Sequence, residues 1–250
     1  MNTSSTLLYA IDLGNSSAKV SLWNEEMDKW EWTQEPAERL TLDEAKSGAP
    51  LVVCSVSNKI PRIVSEWTGP ILSLGAETNL PFNSEYDRNG WGSDRMAAVA
   101  GAFYRNPKAD CLIIDAGTCV TFDYLDSIRG HLAGAISPGL NLRAKAMNAY
   151  TGRLPLVTFE DLKPNHLNPF PKTTQEALIL GALGGWNVEI KKGIERFKKQ
   201  KPEGIVYLTG GDSRYFEANP KNRIFAAPLL VFEGMVHLWK WNRTCTDSNG

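Results

Sequence analysis

The sequence is poor in cysteine and histidine, carries no run of charge of one sign, and contains no long apolar segment. Cys54, Cys111, Cys119 and Cys245 are scattered, with no C-x-x-C pair and no spaced Cys/His set, so neither a zinc site nor a disulfide framework is indicated. A reducing cytoplasm fits that usage. His131, His166 and His237 stand apart from one another and from any Ser or Cys elbow, and read as packing or surface residues. Lys plus Arg and Asp plus Glu nearly cancel, 27 against 28, which leaves nucleic acid and membranes without an obvious landing surface and favours small ligands. No apolar stretch approaches the roughly 20 residues of a membrane span. The N-terminal apolar run also lacks a basic flank and a cleavage site, so a soluble, cytoplasmic protein is expected. The P-loop string GxxxxGK[ST] is absent too.

What is present is a pattern used twice. Leu7 to Ile11 lead into Asp12, then Leu13-Gly14-Asn15-Ser16, then an alternating segment with Ala18, Val20 and Leu22. Leu112 to Ile114 lead into Asp115, then Ala116-Gly117-Thr118, then Val120, Phe122 and Tyr124 alternating with Thr121 and Asp123. Both read as strand, tight turn, strand. With 42% hydrophobic residues the chain can bury an ordinary core. The repeat favours two similar α/β domains, 1–109 and 110–250.

Between the repeats, Trp23, Trp30 and Trp32 belong to a solvated hairpin, Leu51 to Val56 form a buried strand, and the segment through Asn89 reads as a loop feeding a site. Gly92-Ser93-Asp94-Arg95 opens a helix of small residues, MAAVAGAFYR, suited to close packing and ended by Pro107. Gly134 to Ser137 is a further strand, and Leu140 to Tyr150 a helix with Leu142, Ala146 and Tyr150 on one side. Both helices offer faces for packing across a two-fold axis. A connection with Pro155, Pro164, Pro169 and Pro171 leads to Thr173-Thr174-Gln175-Glu176, whose spacing is a capping box for a helix running to about Lys199. Ile205 to Leu208 is a buried strand closing on Thr209-Gly210-Gly211-Asp212, and Leu229 to Trp239 the last helix.

An acid at a strand end followed by Gly, Asn, Ser or Thr offers backbone N–H groups to phosphate oxygens and a carboxylate to hydrated Mg²⁺. An ordinary hairpin turn explains a single Asp-x-Gly equally simply, but two copies together with LTGGD weigh against it. Lys19 is either a phosphate contact or a solvated strand lysine, and spacing does not choose. Asp94 beside Arg95 is either a general base with an anion-binding partner or an acid favoured by the helix dipole; taken alone, the second reading is the simpler.

The ordered set DLGNSSAK, GSDR, DAGTCVTFD, GAISPG, TTQEA and LTGGD resembles the type III pantothenate kinase family along nearly the whole chain. The resemblance implies two duplicated ribonuclease H-like (actin-like ATPase) domains with a nucleotide cleft between them. It also implies ATP-dependent phosphorylation of pantothenate to 4'-phosphopantothenate, the first step of coenzyme A synthesis, by a homodimer with shared active sites. Mg²⁺ and a monovalent cation, K⁺ or NH₄⁺, come with it. Carried over by motif, Asp12, Gly14, Asn15, Ser16, Lys19 and Thr118 attend ATP, with Asp12 also near Mg²⁺ and Asp115 on the monovalent cation. Gly92, Ser93, Asp94 and Arg95 match the pantothenate segment, with Asp94 as proton acceptor, and Thr174 matches a substrate contact. One departure stands out: the family's substrate-contacting Tyr falls where this chain has Glu85, and Tyr86 is one residue nearer the base, so a one-residue deletion in YDRNGWGSD would preserve its role. Two other readings compete, a non-catalytic transcription accessory protein on the same scaffold and a kinase for another small hydroxyl compound.

Overall fold

The computed structural model describes residues 7–15, 17–56, 61–160, 162, 167–216 and 218–247. The expectations for Ser16, residues 57–60, Pro164 and His166 fall outside these. By contacts the chain divides into two compact units.

The first unit is built on β1 (Leu7–Leu13), β2 (Ala18–Asn24), β3 (Lys29–Pro36), β4 (Leu51–Ser55) and β5 (Ile71–Ser73), in the order β3-β2-β1-β4-β5. β1 pairs antiparallel with β2 and parallel with β4. A strand between two partners is covered on both faces, which is why Leu8 to Ile11 read as a continuous apolar run and are all buried. β3 forms the edge, and its residues are exposed or half-buried. Two short helices, α1 (Leu42–Ala45) and α2 (Arg62–Ser65), flank β4 in sequence, and α3 (Ser93–Arg105) follows the loop after β5. Thr41 begins α1 with a complete capping box to Glu44.

The second unit repeats the plan. Its strands β6 (Cys111–Ala116), β7 (Cys119–Asp126), β8 (Gly130–Pro138), β9 (Ile205–Thr209) and β10 (Ile224–Ala226) lie in the order β8-β7-β6-β9-β10, the order of the first sheet with each strand replaced by its counterpart. β6 is antiparallel to β7 and parallel to β9, as β1 is to β2 and β4. The duplication inferred from the two loops therefore extends to the sheets. Its helices are α4 (Leu140–Ala149), α5 (Thr174–Ile179) and α6 (Gly185–Gln200), and Trp186, Ile190 and Phe197 of α6 pack into a core with Leu112, Ile114, Phe122 and Leu208.

The single helix expected from Thr174 to about Lys199 is interrupted by a π-helical segment at Leu180–Gly184. The sequence there, LGALGG, has three glycines, which relax the backbone where the extra residue is accommodated. On α4 the core side is Leu140 and Ala144, whereas Leu142 and Tyr150 are exposed.

The last helix, α7 (Leu230–Asp247), starts as expected but continues past Trp239, and it belongs to the first unit. Its partner is α3. A Cβ on Gly234 would lie 1.8 Å from the Ala97 carbonyl oxygen, and one on Gly101 would lie 2.3 Å from that of Leu230, so glycine on each helix permits backbone-to-backbone packing. Arg105 and Glu233 join the two helices by paired 2.6 Å hydrogen bonds. The small-residue face of α3, expected to suit a two-fold contact, is thus occupied by α7 of the same chain. Residues 128–132 also group with the first unit, where His131 N–H donates to Asn83 O at 2.8 Å and Glu85 N–H to His131 O at 2.9 Å. A division at 109/110 places both segments in the second domain; local sequence carries no mark of such returns. Among the described residues no helix is long and apolar enough to cross a membrane.

Candidate active site

In the first unit, Asp12 ends the apolar part of β1, opposite Lys19 on β2 and beside Cys54 on β4 in the sheet register. The turn between β1 and β2 is closed by Gly14 N–H donating to Ser17 O at 3.0 Å, with Asn15 exposed at its tip. Burial and the nearby negative charge of Asp94 push the Asp12 carboxyl from its ordinary 3.8 up to about 6, against the opposing pull of Lys19 and the Cys54 thiol. Burial, with Asp12 and Asp94 adding to it, also drives the Cys54 thiol well above its usual range, so it is a neutral S–H donor.

Asp94 is delivered by the first turn of α3. Its Oδ1 accepts from the Arg95 backbone N–H at 2.7 Å, and Gly92 leaves it room, since a Cβ there would stand 2.6 Å from that same oxygen. Ser93 is buried against the end of β4. Its hydroxyl accepts from Ser55 N–H at 2.9 Å and from the Cys54 thiol at 3.3 Å, and donates to Ser55 O at 3.0 Å.

Arg95 is 4% exposed, with its guanidinium 4.8 Å from the centre of the Tyr86 ring and Nη1 donating to the phenolic oxygen at 3.2 Å. Tyr86 lies in turn against Trp91 and His131, and those two rings stack at 4.2 Å and 3°. Ser84 Oγ sits 3.0 Å from His131 Nδ1 and accepts from Tyr86 N–H at 3.2 Å, which fixes the Tyr86 backbone. Glu85 instead pairs with Arg129 at 2.6 Å on the surface. Of the two neighbours, Tyr86 is the one that meets Arg95.

The second unit carries the other loop. Asp115 lies opposite Thr209 near the end of β6, and the turn holding Thr118 is closed by Gly117 N–H donating to Cys119 O at 3.0 Å. Gly139 N–H donates to Thr118 O at 3.0 Å, and a Cβ on Gly139 would lie 2.1 Å from Gly117 O. Gly210, at φ +85°, borders Asp115 so closely that a Cβ would be 2.4 Å from both its Oδ1 and the Ala116 carbonyl oxygen. Arg143 holds the turn before α4 through Pro138 O at 2.8 Å and Ser137 Oγ at 3.0 Å. Burial raises the Asp212 carboxyl. Thr174 is exposed at the start of α5. The hydroxyl of Thr173 accepts from Glu176 N–H at 3.2 Å, but the Glu176 carboxylate accepts from Lys172 N–H, so the capping box is answered one residue early.

The first unit therefore gathers Asp12, Lys19, Asp94, Arg95 and Tyr86, while the second holds Asp115, Thr118 and Thr174. Cys54, Trp91 and His131 were not singled out by the sequence. Cys54 reaches Asp12 only through the parallel pairing of β4 with β1, and His131 reaches Tyr86 only through the return of residues 128–132.

The sequence profile of type III pantothenate kinases matches residues 8–196. The chain belongs to that family. A type III pantothenate kinase of Bacteroides fragilis (strain YCH46) is 35% identical over 240 residues, covering 93% of this chain and 97% of the relative. One of Phocaeicola vulgatus is 33% identical over 239 residues, with the same coverage of 93% and 97%. Among solved structures, a Campylobacter jejuni protein described as a candidate transcriptional activator of the Baf family has a TM-score of 0.59 at 25% identity, covering 94% of this chain and 99% of that one. A candidate N-acetylmannosamine kinase from Listeria monocytogenes has a TM-score of 0.53 at 13% identity, covering 94% of this chain and 99% of that one, a likeness of fold.

Proposed function

We propose that this chain catalyses the ATP-dependent phosphorylation of pantothenate to 4'-phosphopantothenate, the first step of coenzyme A synthesis. The observation that carries the reading is the pair Asp12 and Asp94, two carboxylates close enough that one raises the proton affinity of the other, at the turn that resembles the family's phosphate loop. Within the family, such a pair divides its work between metal and base.

A half-buried carboxylate under repulsion from a second one gains from a divalent cation, so Asp12 fits Mg²⁺. No group of three or more His, Cys, Asp or Glu able to hold a metal occurs among the described residues, in keeping with Mg²⁺, which takes one or two carboxylates and completes its shell with waters and substrate phosphates. Bound there with ATP, Mg²⁺ supplies charge neutralisation at the phosphate oxygens. The amide of Asn15, with Ser16 and Lys19, holds those oxygens. Asp94 accepts the proton of the pantothenate primary hydroxyl as that oxygen attacks the γ-phosphorus and the bond to ADP breaks. The hydrogen bond donated by the Arg95 backbone N–H to Asp94 Oδ1 keeps this carboxylate oriented. Arg95 and Tyr86 hold pantothenate, and Thr174 of a second subunit closes the pocket in a homodimer. Asp115, beside the Ala116 carbonyl and with Gly210 leaving space against both, fits a monovalent cation, K⁺ or NH₄⁺. A cytoplasmic enzyme completes the reading.

Release of ADP, coupled to NADH oxidation and measured with and without pantothenate in Mg²⁺ and K⁺, tests the proposal. Pantothenate-dependent turnover is expected. Its absence from folded protein, with other small hydroxyl compounds phosphorylated instead, would reassign the substrate. No turnover at all would favour a regulatory homologue, the reading to which the likeness to the Campylobacter jejuni structure lends support.

A further inference from the structure

Ser93 stands in the pantothenate segment GSDR, yet its side chain is 5% exposed and its hydrogen-bonding capacity is used inside the protein. A hydroxyl has one proton to donate and two lone pairs with which to accept. The proton goes to Ser55 O, and the lone pairs receive Ser55 N–H and the Cys54 thiol. Buried between Ser55 and Cys54, the hydroxyl is turned to the protein rather than to a substrate. The bonds run instead to the C-terminal end of β4, which lies next to β1 with Cys54 in register with Asp12.

We infer that Ser93 is a positioning residue: with Cys54 it pins the first turn of α3 to the end of β4 and so fixes Asp94 relative to Asp12. This rests on the kinase reading above for its consequence, though not for its geometry. Three features support it. Ser55 ends β4 beyond the point where pairing with β5 stops at Val53, and Ser93 bonds both its N–H and its C=O there, as a further strand would. α3 has no side-chain N-cap, because Gly92 holds that place and is needed to clear Asp94 Oδ1. The helix start is therefore anchored by Ser93 rather than by a cap. Finally, the buried thiol of Cys54 contacts Ser93 and lies beside Asp12, so one short run of side chains links the proposed base to the proposed metal ligand.

A residue that touches pantothenate and one that positions the base give opposite kinetic signatures. Ser93→Ala is expected to lower kcat by about tenfold or more while the pantothenate KM and the calorimetric Kd stay within about threefold, because substrate contacts are intact and only the base is displaced. Ser93→Thr, which keeps the hydroxyl, should return most of the lost kcat. A raised KM and Kd at unchanged kcat would make Ser93 a substrate contact and overturn the inference. If Ser93→Ala does not fold, Cys54→Ala removes one bond of the three at a residue with no route to substrate. It should lower kcat several-fold at constant KM, and an unchanged kcat would overturn the link.

Hydrogen exchange separates this from the functional reading, since it needs no turnover. The Ser55 amide and the Met96 amide, which bonds Gly92 O in the first turn of α3, should exchange faster in Ser93→Ala and near the wild-type rate in Ser93→Thr. Unchanged protection in Ser93→Ala sinks the inference even if the wild-type protein proves to phosphorylate something else. A wild-type protein without pantothenate-dependent turnover rejects the kinase reading and leaves the exchange result to decide this one.

Discussion

The guanidinium of Arg95 lies over the ring of Tyr86 and donates to its phenolic oxygen at 3.2 Å, so a buried cation is held by both the face and the edge of one side chain. Burying a guanidinium is costly unless its donors and charge are answered. Tyr86 answers part of both and is itself braced by the stacked pair Trp91 and His131. On the proposed function, the group that meets pantothenate is set before substrate arrives.

Tyr86→Phe separates the two contributions. It keeps the cation–π contact and removes a hydrogen bond to a charged group, worth about 1.5–3 kcal/mol. The expected outcome is a pantothenate KM raised roughly tenfold or more with a smaller change in kcat. Steady-state kinetics and calorimetric titration of pantothenate check it; an unchanged KM and Kd would remove Tyr86 from the substrate site.

Asp94→Asn should leave pantothenate binding nearly intact while lowering kcat by about 10²–10⁴-fold, the range expected for loss of a general base. The amide side chain can still accept from the Arg95 N–H, so the first turn of α3 is retained. Near-normal turnover in this variant would remove Asp94 from the proton transfer.

The pH dependence follows from Asp12, whose carboxyl is raised from 3.8 to about 6 by burial and Asp94. Because the folded protein holds this proton more tightly than the unfolded chain, the contribution to stability is full below about pH 4 and is lost as pH rises through 6. Without Mg²⁺, thermal melts of Asp12→Asn should therefore lack part of the wild-type decline between those values. In turnover the sign reverses: protonated Asp12 cannot hold Mg²⁺, so kcat/KM for Mg-ATP should fall below about pH 6, and higher Mg²⁺ should move the limb to lower pH. A limb that ignores Mg²⁺ concentration would assign it to another group.

Gly210→Ala should affect the proposed cation site more than the core. The position is at φ +85°, strained for alanine, and the added methyl would meet Asp115 Oδ1 and Ala116 O at 2.4 Å. Turnover titrated with K⁺ or NH₄⁺ in an organic buffer cation should show wild-type activation and a weakened, right-shifted response in the variant. Equal wild-type activity after exhaustive removal of monovalent cations would reject a site at Asp115.

For the shared pocket, chains carrying Asp94→Asn and Thr174→Ala, each poorly active alone, are mixed and allowed to exchange. A heterodimer gathers both lesions into one pocket and leaves the other whole, so with random exchange of equal amounts turnover should recover toward about a quarter of wild type. Demonstrated heterodimers without recovery would rule out a composite site.

Much of this was readable in advance where function and local pattern coincide. The two Asp-led turns, the strands around them and the start of α3 each announce themselves within a dozen residues, because strand alternation, turn chemistry and Gly92 act locally. What could not be read depends on pairing between distant segments. Nothing near Cys54 says that β4 will set it beside Asp12, and nothing near His131 says that it will return to stack on Trp91. The small residues of α3 did announce a close contact, but not which helix would make it. On α4, Leu142, Ala146 and Tyr150 have the spacing of a core face, yet Leu142 and Tyr150 are exposed, and the buried side is Leu140 and Ala144. Spacing marks a stripe without saying what lies opposite.

The return of α7 to the first unit has a consequence for how the chain is made. Residues up to Lys108 leave the ribosome before the second unit, but among the described residues the surface of α3 around Ala97 and Gly101 packs against Leu230 and Gly234, which are made after that unit. The first unit thus stays unfinished through translation of the whole second unit, with a stripe of bare helix backbone exposed until α7 arrives. A nascent chain stalled or cleaved before residue 229 loses more than a tail; it strands the half-built unit that carries Asp12 and Asp94, and marks it for chaperones and proteases.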